Sequence, residues 1–425
     1  MAQKTEIARS LALLSLIALE RDGRYSNLEV DSRLSRNSDS LSDADRALYT
    51  RLVYGVTEKR LTLDYIISNF SSEPIDALDE DVKTALRIGI YQLRFTDRIP
   101  EHAAVSETVD LVRRSRKGYV NAVLRTYIRA GKPLCLPDEN GDRIKYLSVK
   151  HSIPEPLIDH YIRSYGEESA EALLGSLNRE PKTGLRINTL KISVIDALKR
   201  LGGTLSSFAD GILLVDGLSE DAKAGIADGL WFVQDEASRA ATVLLGAKPG
   251  ETVVDTCACP GGKSFSAAID MENRGKVFSF DLHANKLSLI EKGAARLGIS
   301  IIETAERDAR TPDASLVGQA DRVLCDAPCS GLGVIAKKPD IRYKDLSSLA
   351  RLPEIQYGVL CGASEYVKNG GTLVYSTCTL NPDENERTVE RFLGEHADFD
   401  LTSEKTFFPH IDGCDGFFAA KMIRK

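Results

Sequence analysis

Two cysteines stand just beyond apolar runs of the sequence, where a reactive side chain could meet a ligand. Cys378 follows the β-branched run 371–375, and Cys329 follows the run 320–326, which ends in Asp326. Both runs are typical of buried strands, and parallel sheets bind ligands at the carboxyl edge of their strands. A free cysteine taken alone is most often a small, semi-buried apolar residue. A second cysteine and a carboxylate at a neighbouring strand end favour a reactive thiol instead.

These three side chains suit one reaction in particular. C5 of cytosine is not nucleophilic, but a thiolate that adds to C6 converts the ring to an enamine, which can take a methyl group. A protonated acid beside N3 would stabilise the adduct, and a base must then remove the C5 proton. Covalent methylation of a cytosine is therefore the chemistry that Cys378, Cys329 and Asp326 indicate.

A glycine-containing turn upstream has the composition of a nucleotide-type site. Two adjacent glycines let the backbone approach a ligand, and the N-terminus of the predicted helix that follows offers unpaired N–H groups. A P-loop would require glycine at position 257, where this chain has cysteine. The residues that we expect to bind the cofactor here are Cys257, Ala258, Cys259, Pro260, Gly261, Gly262 and Lys263.

Carboxylates follow the predicted strands beyond this turn. Asp281 lies 20 positions after Gly261, about the spacing at which an acid meets the ribose hydroxyls of a nucleoside. Asp308 stands where such a fold contacts an adenine, although a turn cap explains an aspartate there nearly as well. The cysteines at 257, 259, 325 and 329 lack the spacing of zinc ligands, so no metal site is predicted.

The sequence shows three kinds of pattern, which predict the domains that must position these groups. Residues 1–135 show apolar stripes at helical spacing, which predict an all-helical bundle. Residues 136–230 read as a small α/β connecting domain, and residues 231–425 alternate strands with helices, which predicts a doubly wound parallel sheet. The prediction is thus a multidomain chain whose chemistry lies in its C-terminal part.

The helical part carries a local excess of positive charge. From Lys83 to Lys132 there are 11 Lys and Arg against 4 Asp and Glu, although the chain as a whole has a formal charge of −7. A solvated face explains such residues in many proteins, whereas a run of one sign favours contact with phosphates. The predicted RNA-binding residues here are Arg113, Arg114, Arg116 and Lys117.

The composition is typical of a soluble globular protein. The chain has 425 residues, of which 43% are apolar and 28% charged, and its 8 cysteines have neither zinc-ribbon spacing nor the density of a disulfide scaffold. Reduced thiols in a cytoplasmic protein fit best. Charged residues directly follow the apolar run 11–19, so we expect an amphipathic helix rather than a signal peptide, and no membrane span.

The motifs together resemble a known family. His102-Ala-Ala-Val105 and Lys117-Gly-Tyr-Val-Asn-Ala-Val-Leu-Arg125 are similar to the RNA-binding NusB family, with Ser106 in place of its usual asparagine. The C-terminal half resembles the Sun family of RNA cytosine-C5 methyltransferases, some of which carry a NusB-like domain. The matching C-terminal motifs are Val233-Gln-Asp-Glu-Ala-Ser238, Asp255-Thr-Cys-Ala-Cys-Pro-Gly-Gly-Lys263, Asp326-Ala-Pro-Cys-Ser-Gly331, Tyr375-Ser-Thr-Cys-Thr379 and Asp415-Gly-Phe-Phe-Ala-Ala-Lys421.

The resemblance implies a Rossmann-like methyltransferase domain that binds S-adenosyl-L-methionine along the glycine-containing turn. It implies Asp281 at the ribose, Asp308 at the adenine and Asp326 near the methionine end and the target base. Cys259 replaces the usual alanine of the turn, which leaves open whether cofactor affinity changes. Arg186 belongs to an Arg-x-Asn-Thr motif that lies near RNA in this family.

The resemblance also bears on the roles of the two thiols. DNA cytosine methyltransferases carry their nucleophile in a Pro-Cys loop, which would point to Cys329, whereas the RNA family uses the Thr-Cys position, Cys378. We follow the RNA family and assign release of the methylated product to Cys329. The implied substrate is 16S ribosomal RNA, acted on by a monomer without an obligatory protein partner. Transfer RNA as substrate, or a catalytically silent antitermination or assembly factor, are the alternatives.

Overall fold

The computed structural model describes residues 2–179 and 182–425. Contacts divide the chain into two compact units. The first comprises Met1–Asn178 with Ile335–Leu346, and the second comprises Arg179–Val334 with Ser347–Lys425. Within the described ranges, no helix combines the length and the apolar character needed to cross a membrane. The predicted division into three domains stays a prediction.

The first unit is helical, as predicted for the N-terminal part. Leu52, Leu63, Leu86 and Leu124 come from different helices and are fully buried in one core. Helix starts carry capping residues, as at Ser42, whose side chain accepts a hydrogen bond from the N–H of Asp45. Its helices are α1 (Ala2–Asp22), α2 (Ser26–Arg36), α3 (Asp43–Glu58), α4 (Arg60–Phe70), α5 (Glu80–Phe95), α6 (Glu101–Val109), α7 (Arg114–Arg129), α8 (Arg143–His151), α9 (Glu155–Tyr165) and α10 (Glu167–Ser176), with a short 3-10 helix at Ile75–Ala77.

The segment Ile335–Leu346 belongs to this helical unit although it lies far along the chain. It contains a 3-10 helix at Pro339–Tyr343. Arg342 Nη1 donates to the carbonyls of Glu58 (2.9 Å) and Ser152 (3.2 Å), and to Asn178 Oδ1 (3.2 Å). The sequence pattern gave no sign of this packing, because the segment stands among the strands and helices of the C-terminal part.

A small antiparallel sheet begins the second unit. Its strand order is β2-β3-β1-β4. Trp231, which belongs to one of these strands, is fully buried, and its indole N–H donates to the carbonyl of Ala222 at 2.8 Å. The elements are β1 (Thr183–Ile187), α11 (Val194–Leu201), β2 (Thr204–Leu205), β3 (Ile212–Val215), α12 (Glu220–Ala227) and β4 (Trp231–Val233).

The predicted Rossmann-like domain is confirmed as a seven-stranded sheet in the order β10-β11-β9-β8-β5-β6-β7. Its strands are β5 (Thr252–Asp255), β6 (Lys276–Asp281), β7 (Ile302–Glu306), β8 (Ala320–Asp326), β9 (Val367–Thr377), β10 (Phe399–Phe407) and β11 (Phe417–Arg424). The helices are α13 (Glu236–Leu245), α14 (Gly262–Asp270), α15 (Ala284–Leu297), α16 (Leu352–Glu365), α17 (Glu386–Glu395) and α18 (Pro409–Asp412), with a 3-10 helix at Leu346–Arg351.

The sheet is parallel from β7 to β9, and only β11 runs antiparallel to its two neighbours. Val254, Val323 and Leu373 are fully buried in its centre, as near-continuous apolar runs covered on both faces should be. The order reverses between β5 and β8, because β5 leads on one side to β6 and β7 and on the other to β8 and β9. A crevice outside the carboxyl ends of the strands at such a reversal is the usual ligand site.

Candidate active site

The two predicted active cysteines lie side by side at the carboxyl edge of the sheet. Strands β8 and β9 are parallel neighbours, and Asp326 pairs with Ser376 at their ends. The loops that follow therefore begin together, and Cys329 Sγ lies 3.1 Å from Cys378 Sγ. The structure thus brings together the two thiols that the sequence placed at separate strand ends.

The surroundings of Cys329 favour its protonated form. Its hydrogen bond with Cys378 is the largest of the causes that raise the pKa of Cys329 well above its ordinary value, followed by burial and by the negative charges of Cys378, Glu384 and Asp326. Of two thiols that share one hydrogen bond, only one can be a thiolate while the other donates. The arrangement therefore favours Cys329 as the donor and Cys378 as the thiolate.

Asp326 is held by two donors at the same edge. Its Oδ2 accepts from Lys263 Nζ at 2.6 Å, and its Oδ1 accepts from the Ser376 hydroxyl at 2.7 Å. Burial lowers the pKa of Lys263, but Asp326, Cys378 and Asp255 outweigh it and raise this pKa overall. The raised pKa keeps Lys263 protonated, so its ammonium group holds Asp326 in place at this edge of the sheet. Sequence reasoning assigned Lys263 to the cofactor turn alone and missed its position beside the thiols.

The predicted cofactor turn links β5 to α14, and hydrogen bonds to the end of β6 hold it in place. The N–H of Ala258 donates to the carbonyl of Phe280 at 2.7 Å, and the N–H of Cys259 donates to Asp281 Oδ2 at 3.3 Å. Gly261 has φ 108°, and a Cβ there would overlap the ring of Phe265. Glycine is therefore required at this position both for its backbone conformation and for the space it leaves.

A further carboxylate lies beneath this turn. Asp255 is buried at the end of β5, and its Oδ2 accepts from the Ser264 hydroxyl at 2.6 Å. Its Oδ1 is buried without a hydrogen-bond partner among the described residues. Burial raises the pKa of Asp255 to about 7. Sequence reasoning treated this residue only as part of a motif, although its place at the strand end before the turn was a signal.

The two other predicted cofactor acids differ in their contacts. Asp281 Oδ1 accepts from the N–H of His283 at 3.0 Å, which fixes the carboxylate beside the turn. Asp308 Oδ1 accepts from the N–H of Arg310 at 3.0 Å, and the Arg310 guanidinium lowers the pKa of Asp308. The turn cap that the sequence left as an alternative is thus present, and contact of Asp308 with an adenine stays a prediction.

These residues fit S-adenosyl-L-methionine in their chemistry. Asp281 offers carboxylate oxygens to ribose hydroxyls, and the start of α14 presents backbone N–H groups. A Cβ built at Gly262 would meet no atom closer than 4.0 Å, so the backbone is open to a ligand there. The cofactor assignment of residues 257–263 nevertheless rests on the resemblance and on this fit, and stays a prediction.

The predicted RNA-binding cluster on the helical unit is largely engaged with acids. Arg113 pairs with Asp79 (2.7 Å), Arg116 with Glu73 (2.8 Å), and Lys117 with Asp110 (2.6 Å). Arg114 is exposed and has no ion pair among the described residues. Exposed ion pairs are weak and can exchange for a phosphate, so the cluster stays a candidate in which Arg114 is the most available member.

Arg186 is buried, with 3% of its surface exposed. Its Nη2 donates to Asp270 Oδ1 at 2.8 Å, and Arg239 Nη2 donates to the same oxygen at 3.0 Å. Burial, with the charge of Arg239, lowers the pKa of Arg186 to about 10. A guanidinium so enclosed does not reach a phosphate, which argues against the predicted RNA contact and gives Arg186 a structural role.

No group of three or more His, Cys, Asp or Glu side chains that could hold a metal ion occurs in the described ranges.

Comparisons with known proteins match both parts of the chain. The profile of the 16S rRNA methyltransferase RsmB/F family matches residues 242–423, and that of the NusB family matches residues 6–129. The probable ribosomal RNA small subunit methyltransferase B of Bacillus subtilis is 39% identical and covers 100% of both chains. The corresponding protein of Synechocystis is 36% identical over 98% of this chain and 99% of its own.

Solved structures agree at the level of the fold. The crystal structure of PH0851 covers 98% of this chain and 99% of its own, with 26% identity and a TM-score of 0.79. A methyltransferase homologue from Pyrococcus horikoshii covers 67% of this chain and 100% of its own, with 26% identity and a TM-score of 0.58.

Proposed function

Since the chain belongs to the family of ribosomal RNA small subunit methyltransferases B, we propose that it methylates C5 of a cytosine in 16S ribosomal RNA. In this proposal S-adenosyl-L-methionine is the methyl donor and Cys378 is a covalent nucleophile. The observation that carries it is the 3.1 Å contact between Cys378 and Cys329, beside a carboxylate paired with a lysine.

The first step is addition of the Cys378 thiolate to C6 of the target base. The S–H of Cys329 donates to this thiolate and so stabilises it before the attack. As the C6–S bond forms, negative charge moves to N3, which needs a proton. The pair of Lys263 and Asp326 holds one acidic proton at the same edge of the sheet and can supply it through Asp326.

The bound cofactor supplies an activated methyl group for C5. The chain's own contribution is to hold that group and the base together, with Asp281 at the ribose and Asp326 near the reacting end. C6 of a stacked base is covered, so the cytosine has to be unpaired or flipped into the crevice.

Cys329 completes the reaction as the base. Once the Cys378 sulfur is bonded to C6 it carries no charge, and the hydrogen bond that contributes most to the raised pKa of Cys329 weakens. Cys329 can then lose its proton, which is the proton that the overall reaction releases. As a thiolate it takes the proton from C5, the C5–H electrons form the C5–C6 double bond, and the C6–S bond breaks to return Cys378. N3 gives its proton back to the pair of Asp326 and Lys263.

The test is methyl transfer to 16S ribosomal RNA and to transfer RNA by the wild-type chain and by two variants. Cys378→Ala should show no turnover. Cys329→Ala should accumulate an RNA adduct that survives denaturing electrophoresis, because the adduct forms and is not released. An adduct that forms without Cys378 and requires Cys329 would reverse the assigned roles.

The choice of substrate decides the remaining alternatives. Methylation of transfer RNA alone would make this a transfer RNA enzyme with the same chemistry. RNA binding without methylation of either RNA would indicate an assembly or antitermination factor. We expect methylation of 16S ribosomal RNA, in keeping with the proteins that the chain resembles.

A further inference from the structure

A buried carboxylate stands between the two cysteine loops and takes no part in the reaction as proposed. Glu384 is 0% exposed, in the turn that follows Cys378. Its Oε2 accepts from the backbone N–H of Ser330 at 2.9 Å and from Gln356 Nε2 at 2.8 Å. Its Oε1 accepts from Asn381 Nδ2 at 2.9 Å. The carboxylate therefore joins the Cys329 loop, helix α16 and the turn after Cys378.

The hydrogen-bond partners of the Glu384 carboxylate are unusual for a buried acid because they are uncharged. All of them are uncharged N–H donors, and no ion pair to Glu384 occurs among the described residues. A buried carboxylate without a cation is costly and is stabilised here only by hydrogen bonds. Stability alone would favour an apolar side chain or an ion pair at such a place. The negative charge itself is therefore the feature that needs an explanation.

Further hydrogen bonds tie the residues next to each cysteine together. The hydroxyls of Ser330 and Thr379, which directly follow Cys329 and Cys378, lie 2.5 Å apart. Asn385 accepts from the Thr377 hydroxyl at 2.5 Å and donates to the carbonyl of Thr379 at 3.0 Å. The turn that contains Glu384 thus holds Cys378 from both sides and Cys329 through Ser330.

The charge of Glu384 also acts on the chemistry of Cys329. The charged groups that face Cys329 are Cys378, Glu384 and Asp326, and each of them raises its pKa. After Cys378 has attacked the base and lost its charge, Glu384 and Asp326 still raise the pKa of Cys329, which makes the Cys329 thiolate a stronger base for the C5 proton once it has formed. A fixed carboxylate on the Cys329 side therefore favours a thiol there and leaves the thiolate to Cys378.

We propose that Glu384 is a positioning residue that holds the Cys329 loop against the Cys378 strand end and keeps the two thiols in separate roles. The inference rests on the proposed function, because it concerns the step in which Cys329 releases the methylated base. Loss of Glu384 should therefore resemble loss of Cys329.

The substitution that tests this is Glu384→Gln, which preserves size and removes the charge. Every partner of the carboxylate is a donor, so the amide must turn its own N–H groups toward at least one of them. We expect turnover at saturating RNA to fall about tenfold or more, while KM for RNA changes by less than about twofold. An adduct that depends on Cys378 should accumulate, as expected for Cys329→Ala.

A double variant separates positioning from general damage. If Glu384 acts through Cys329, then Glu384→Gln with Cys329→Ala should form the Cys378-dependent adduct no more slowly than Cys329→Ala alone. Asp383→Asn is the matched control, because Asp383 is a 51% exposed acid of the same turn that pairs with Arg387, and it should behave as wild type. The proposal is overturned if the double variant forms the adduct more slowly than Cys329→Ala alone, or if Glu384→Gln forms no adduct.

Gln356→Met provides a second variant if Glu384→Gln does not fold. It removes one donor to Glu384 and keeps the carboxylate, so adduct should accumulate to a smaller extent, and its absence would also overturn the proposal. Failure of the proposed function has a different signature. In that case the wild-type chain methylates no cytosine and Cys329→Ala traps no adduct, whereas failure of this inference alone leaves both of those results intact.

Discussion

The two thiols have the same chemistry in isolation, and their neighbours make them different. Cys329 lies against Cys378, and the Ser330 N–H beside it is held by Glu384. Negative groups around Cys329 raise its pKa, so the proton stays on Cys329, which favours Cys378 as the nucleophile of the proposed reaction. In the proposed mechanism, the order of the chemical steps would follow from electrostatics at a few positions rather than from any difference between the two side chains.

Asp255 gives a prediction at the same scale, because its protonation couples to stability. Its pKa is raised to about 7 in the folded chain from an ordinary value of 3.8, so folding favours the protonated form. The stability that this contributes is full below pH 3.8 and is lost as the pH rises to about 7. The unfolding free energy of Asp255→Asn should therefore rise relative to that of the wild type by up to roughly 1.4 kcal/mol for each pH unit between these two values. Above the upper value the difference should stay constant.

Urea unfolding of both proteins at about pH 5, 6, 7 and 8 measures this difference in unfolding free energy, since these values cover the upper part of that pH range and one point above it. Ser264→Ala is an informative companion, because the Ser264 hydroxyl donates to Asp255 and lowers its pKa. Without that hydrogen bond this pH range should extend to higher pH. A difference between Asp255→Asn and wild type that does not vary with pH would show that Asp255 is ionised in the folded chain.

Sequence reasoning found the residues of the site that stand at strand ends and missed those that act through burial. Cys329, Cys378 and Asp326 could be placed because parallel strands deliver their carboxyl ends to one edge. Glu384 could not, because its partner Ser330 is 54 residues away in the chain. The motif of Arg186 suggested contact with RNA, whereas its burial beside Asp270 argues for a structural role that the sequence pattern did not indicate.

At the scale of elements, the site depends on loops that pack at backbone distance. The N–H of Gly333 donates to the carbonyl of Cys378 at 3.1 Å, and the N–H of Gly416 donates to the carbonyl of Gly333 at 2.8 Å. A Cβ at Gly333 would overlap the carbonyl of Gly416 and crowd that of Cys378. The loop after Cys329 is therefore fixed by close approach as well as by hydrogen bonds.

Gly333→Ala should separate these loops. We expect a loss of about 1–3 kcal/mol in unfolding free energy from overpacking, together with loss of methyl transfer, because Cys329 moves with the loop. Gly394→Ala is the control, since a Cβ at that position in α17 would meet no atom within 4 Å. It should leave activity unchanged and stabilise slightly through helix propensity. A fully active Gly333→Ala would show that the close approach is dispensable.

Helix α7 carries the prediction about RNA. Arg114 and Arg125 are exposed and lie about three turns apart, hence on the same side of the helix. Arg116, by contrast, is held by both oxygens of Glu73. We expect Arg114→Glu with Arg125→Glu to weaken RNA binding and to reduce its salt slope by about 1 per residue. Filter binding at several salt concentrations measures the slope.

Arg116→Gln provides the comparison on the same helix. Its guanidinium is already neutralised by Glu73 and Asp79, so we expect a much smaller change of the salt slope. An unchanged slope in the variant at Arg114 and Arg125 would mean that this face is only solvated. The sequence identified the basic run correctly but could not show which of its charges have acidic partners, because those partners come from other helices.

At the scale of the whole molecule, one segment from the C-terminal part of the chain belongs to the helical unit. Predicted boundaries at 135 and 230 come from changes of periodicity, and they assign each stretch to the domain in which it is written. The segment Ile335–Leu346 instead joins the helical unit, a few residues after the loop that carries Cys329. The local sequence pattern cannot reveal this packing, because the contacts that hold the segment, such as those of the Arg342 side chain, are to groups distant in sequence.

Arg342 therefore gives the prediction for this scale. It is one of the largest fully buried side chains, and three acceptors from α3, the end of α8 and the chain after α10 share its Nη1. Arg342→Ala should leave these acceptors without a donor and open a cavity. We expect the helical unit to lose about 3 kcal/mol or more, and the segment 335–346 to become accessible to trypsin at Lys337 and Lys344.

Thermal unfolding and limited proteolysis under native conditions measure these two effects. Arg163→Ala is the matched control, since Arg163 in α9 is 78% exposed and pairs with Asp159 at the surface, so stability and cleavage should match the wild type. Because the segment begins two residues after Gly333, its release should also slow methyl transfer at unchanged cofactor affinity. Wild-type resistance to trypsin in Arg342→Ala would show that the segment is held in the helical unit by other contacts, such as the Tyr343 hydroxyl, which donates to the carbonyl of Thr57 at 2.9 Å.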